Sequence, residues 1–74
     1  MADIEQARSR RIGWWYCIRS DKAYLDAVSD ACGTTPGYLR QLAYGHRRPS
    51  FELAIRLGDH TDLPKEFWLP EAWG

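Results

Sequence analysis

The run from Gly33 to Gly45 constrains this chain more than any other part of it. Gly33 tolerates the positive φ that ends a helix and turns the chain sharply. Thr35 is a good N-cap, and Pro36 suits the first helical position, where its missing N–H costs nothing. A second glycine, Gly45, closes the helix, so a short helix over 36–44 is expected. At about 100° per residue, Arg40, Tyr44, Gly37 and Gln41 share one arc and Leu39 and Leu42 lie opposite. His46, Arg47 and Arg48 follow at once, and no Asp or Glu occurs between Ala31 and Phe51.

That arrangement predicts a turn and second helix of a helix-turn-helix, with a basic loop behind it. A helix that buries one side and presents Arg and Gln on the other can enter a DNA major groove. Arg pairs there with guanine, and Gln with adenine, through paired hydrogen bonds. Gly37 would let the backbone come close, and the free N–H groups at the helix start suit a phosphate.

The rest of the chain reads as further helix, about five in all, with no strand. A helix over Ile4 to about Arg19 would place Ile4, Ala7, Ile12, Trp15 and Ile18 on one stripe. Ser20 or Asp21 can cap a second helix ending at Cys32, with Leu25, Val28 and Cys32 inward and Ser29 at a helix crossing. Ser50 can cap a fourth, with Phe51, Ala54, Ile55 and Leu57 on its apolar side. A break over 59–62 precedes a short fifth helix that Pro64 starts and Pro70 stops. Residues 1–74 form one all-α domain, near the lower limit of size for independent folding. No linker, repeat or low-complexity segment divides it.

Net charge is zero, which argues against nucleic acid until the distribution is considered. Arg8, Arg10, Arg11 and Arg19 occupy one acid-free window and Arg40, Arg47 and Arg48 the other. A basic and an acidic face explain the neutral total. Four tryptophans, Trp14, Trp15, Trp68 and Trp73, are an efficient core for a small domain. No apolar run reaches the ~20 residues that span a bilayer. The first residues carry charges where a secretory signal needs an apolar stretch. Two cysteines, Cys17 and Cys32, suggest a reducing cytoplasm and core positions rather than a disulfide framework. Their spacing to His46 and His60 lacks the short pairs that zinc sites use. No nucleophilic triad or phosphate loop stands out, so neither an enzyme, a metal, a cofactor nor a small-molecule substrate is expected.

The stretch Gly33-Thr34-Thr35-Pro36-Gly37-Tyr38-Leu39-Arg40-Gln41, followed by Gly45-His46-Arg47-Arg48-Pro49, resembles the Cro/CI (lambda-repressor-like) helix-turn-helix family. It is most similar to small prophage Cro-like regulators grouped with the YdaS-type proteins. The ending Phe67-Trp68-Leu69-Pro70-Glu71-Ala72-Trp73 is also similar. Ser29, where the family usually has Ala, and Leu25, where several members carry Gln, depart from the pattern. The resemblance implies five helices, double-stranded operator DNA as partner and repression by blocking polymerase. It places Thr35, Pro36, Gly37, Arg40 and Gln41 near base edges and adjacent phosphates. Tyr38, Tyr44, His46, Arg47 and Arg48 would hold the backbone. A homodimer on a palindromic operator follows, because one such motif makes few contacts. The tail or the fourth helix would form its interface. The competing expectation is an antitoxin or protein-interaction module, its tryptophans supplying an apolar patch for a protein partner.

Overall fold

The computed structural model describes residues 3–73. Four α-helices follow in order: α1 (Ile4–Ile18), α2 (Lys22–Cys32), α3 (Pro36–Tyr44) and α4 (Phe51–His60). Two 3₁₀ turns, Lys65–Phe67 and Pro70–Ala72, complete the chain, and no strand occurs among the described residues. The expected fifth helix is thus replaced by two short turns. Pro70 opens the second turn rather than stopping a helix. Leu69, held extended (φ −68°, ψ 160°) by the proline after it, separates the two turns.

Local chemistry sets the helix ends. Asp21 accepts the Tyr24 N–H at 3.1 Å, Thr35 accepts that of Tyr38 at 3.2 Å, and Ser50 accepts that of Leu53 at 3.1 Å. Each cap satisfies a donor that the first helical turn leaves unpaired. α2 and α3 both end at a left-handed glycine, Gly33 (φ 67°) and Gly45 (φ 82°). Around each, two backbone bonds fold the chain back on the last turn. Thr34 N–H reaches Ser29 O at 2.8 Å, and His46 N–H reaches Gln41 O at 2.9 Å.

α1 packs against α3, α2 against α4, and the first 3₁₀ turn against α4 and α1. Trp68, fully buried, sits where these elements meet, with Leu39, Leu42, Ala54 and Leu57 also sealed from solvent. The Trp14 ring meets Trp68 edge to face, centroids 5.3 Å apart, the offset geometry that aromatic quadrupoles favour. Trp14 and Trp15 are buried and Trp73 is half-buried, so the tryptophans fill the core.

The buried face of α1 differs from the expected stripe. It comprises Ala7, Arg11, Trp14, Trp15 and Ile18, whereas Ile4 is exposed and Ile12 half-buried. The cause is Arg11, only 2 % exposed. Its Nη1 donates to Phe67 O at 2.8 Å, and its guanidinium lies 3.6 Å from the Trp73 ring centroid. Burial above all, with the charge of Arg8 adding, lowers its pKa to about 10. Arg11 therefore stays charged at neutral pH and fastens the tail to α1. Cys17 is exposed rather than in the core, at the edge of the buried face of α1; Cys32 is buried as expected. Burial pushes the Cys32 thiol above its ordinary pKa.

Candidate nucleic-acid interface

α2 and α3 are joined by three residues, Gly33 to Thr35. This is the connection length of helix pairs that present their second helix to DNA. α3 buries Leu39, Leu42 and Ala43. Gly37, Arg40 and Gln41 are exposed on the other side, flanked by half-buried Pro36, Tyr38 and Tyr44. The apolar and polar arcs expected from the sequence are therefore both present in the structure.

The ten sequence-expected residues divide by what holds them. Thr35 is exposed and caps α3. Tyr38 packs against the core near its start. Arg40, Gln41 and Gly37 are exposed. His46, Arg47 and Arg48 are exposed in the loop after Gly45. That loop is tied to α3, since both the His46 and Arg47 N–H groups point to Gln41 O. Arg48 also donates from Nη2 to Trp73 O at 3.4 Å, so it links the loop to the tail.

The first acid-free window does not behave as one basic face. Arg11 is buried, and the Arg10 guanidinium lies 5.6 Å from the Phe67 ring centroid. Both serve the tail. Arg19 instead extends the α3 surface. Its guanidinium sits 4.6 Å from the Tyr16 ring centroid. Tyr16 meets Tyr44 edge to face at 6.4 Å, and Tyr44 lies 6.3 Å from the His46 ring and 5.7 Å from the Arg40 guanidinium. A side-chain hydrogen bond with Tyr16, foremost among several influences, raises the Tyr44 pKa. Tyr44 is thus the hub of an aromatic and cationic row that spans α1 and α3. Tyr16 and Arg19 were not singled out from the sequence as site residues. The spacing of aromatics in α1 was the available signal, but only the packing of α1 on α3 brings them to this surface.

All ten Asp and Glu residues are exposed, and none lies between Ala31 and Phe51. A pocket of about 380 Å³ adjoins the loop, lined by Arg8, Arg11, Tyr44, His46, Arg48 and Trp73 among others, and it too has no acid in its wall. No cluster of three His, Cys, Asp or Glu residues suited to a metal ion occurs among the described residues. No helix among them is long and apolar enough to cross a membrane. Comparison with protein-family models, with characterised proteins and with solved structures gives no match to this chain.

Proposed function

We propose that this protein is a sequence-specific DNA-binding regulator of the Cro/CI type, reading duplex DNA with α3 as a homodimer on a palindromic operator in the cytoplasm. One observation carries the reading. Gly37, Arg40 and Gln41 stand exposed on a doubly capped helix, backed by a basic loop, in a stretch of sequence without an acid. Arg40 and Gln41 have the donors that read base edges. Arg47, Arg48 and His46 lie past the helix end, where a loop meets the sugar–phosphate edge. α2, the three-residue turn and α3 then serve as the helix-turn-helix, and repression follows from occupying a promoter.

The protein-interaction alternative drew on the tryptophans as an apolar patch. Trp14, Trp15 and Trp68 are buried in the core and the half-buried Trp73 lies under Arg11, so the tryptophans lend that reading little support.

The test begins with selection of a binding site from random duplexes. Arg40→Ala or Gln41→Ala is expected to cost about 1–3 kcal/mol on the selected site and to relax preference at one base pair per half-site. Arg47→Ala is expected to weaken selected and random DNA equally, with a salt slope shallower by about 0.9 per lost phosphate contact. Arg47 is a cleaner probe than Arg48, whose replacement also frees the Trp73 carbonyl. Selection that yields no site, or α3 variants that bind every sequence as the wild type does, would overturn the proposal.

A further inference from the structure

We infer that the end of α1 is part of the same interface: Arg19, laid on the Tyr16 ring, takes a backbone phosphate of the duplex beyond the reach of α3. The inference rests on the reading of α3 as the DNA-facing helix, and it adds a contact from a different element.

Arg19 and Tyr16 are both exposed. The stacked guanidinium is restrained by the ring 4.6 Å away, while no carboxylate among the described residues stands at ion-pair distance from it. An arginine stacked on an aromatic face keeps its edge N–H groups available in a fixed fork, which matches the oxygens of a phosphate. Less side-chain freedom is then lost when the anion arrives. Tyr16 in turn meets the Tyr44 ring edge to face, and Tyr44 belongs to the polar arc of α3. The row Arg19, Tyr16, Tyr44, Arg40 is therefore continuous across two helices, with a cation at each end.

A simpler role for Arg19 is to complement the helix dipole, since it is the C-cap of α1. The two roles separate by substitution. Arg19→Lys keeps the charge at the helix end but lacks the planar fork. Arg19→Gln removes the charge. Tyr16→Phe keeps the stacking platform, and Tyr16→Ala removes it. Arg56→Gln is the charge control, because it removes one cation from α4, where Glu52 already pairs with it at 2.9 Å.

Affinity for a 20-base-pair duplex of random sequence is measured for each variant over a series of salt concentrations, alongside thermal melts. Arg19→Gln and Tyr16→Ala are expected to make the salt slope shallower, by about 0.9 per protomer for Arg19→Gln. Arg19→Lys is expected to melt as the wild type does yet bind more weakly. Tyr16→Phe and Arg56→Gln are expected to retain the wild-type slope. If Arg19→Gln keeps that slope while Arg47→Ala loses its share, the α1 contact is overturned and the role of α3 stands. If Arg19→Lys binds as the wild type does, the stacked fork is overturned. If the wild type binds no duplex at all, both readings fall together.

Discussion

Two glycines with the same one-letter code have opposite consequences here. Gly58 lies on α4 directly against the first 3₁₀ turn. A Cβ built there would stand 2.6 Å from Lys65 Cβ and 2.7 Å from Lys65 Cα. Backbone cannot retreat as a flexible side chain can, so Gly58→Ala must push the turn away from α4. Overpacking of this kind costs about 1–3 kcal/mol. Gly13, inside α1, has no atom within 4 Å of its added Cβ. Gly13→Ala is expected to stabilise by up to ~1 kcal/mol, through helix propensity alone. Urea unfolding of the two variants checks both signs. A Gly58→Ala protein as stable as the wild type would mean that the turn does not sit on α4 as described. That a glycine inside a helix weakens it follows from the sequence alone. The constraint at Gly58 does not, because it comes from a residue met only after the chain reverses.

At the scale of elements, the same divide between local and distant causes recurs. α3 was legible to both ends because its signals are written within it: a Thr cap, a Pro start, a Leu pair and a Gly stop. The caps at Asp21 and Ser50 were legible for the same reason. The inward face of α1 was not. Ile4 and Ile12 are the obvious apolar residues, yet Arg11 takes the buried position by finding the Phe67 carbonyl, 56 residues away, and the Trp73 ring. The row from Arg19 to Arg40 escaped for a related reason, since it exists only where α1 lies across α3. Arg11→Ala tests how firmly α1 holds the tail. A hydrogen bond to a charged donor is worth about 1.5–3 kcal/mol and a cation–π contact about 0.5–2. A loss of about 2–5 kcal/mol in denaturant melts is therefore expected, partly restored by Arg11→Lys. An unchanged melt would show that the tail is held by its tryptophans alone.

As a whole, the molecule has a largest extent of 30 Å. Half-sites one turn of DNA apart are separated by about 34–36 Å, so a palindromic site needs two copies rather than one. Each copy depends on its tail for stability. Removing the residues after Asp62 would delete buried Leu63, Trp68 and Ala72 and expose the faces of Trp14 and Leu57. Each large apolar side chain contributes about 1.5–3 kcal/mol, against a total of about 5–15 kcal/mol for a small domain. The shortened chain is expected to lose its cooperative melt, as followed by circular dichroism; a full-length melting temperature would contradict the packing of Trp68. The two left-handed glycines that close α2 and α3 carry a last consequence. With the Thr35 cap and Pro36 they fix where α3 begins and ends, and the exposed side chains of Arg40 and Gln41 take no part in either end. The side chains at Arg40 and Gln41 can therefore be exchanged at a stability change of about 0.5 kcal/mol or less each. If α3 reads DNA as proposed, the scaffold separates heritable change in what the helix meets from change in whether it folds, and new targets follow from substitutions at very few codons.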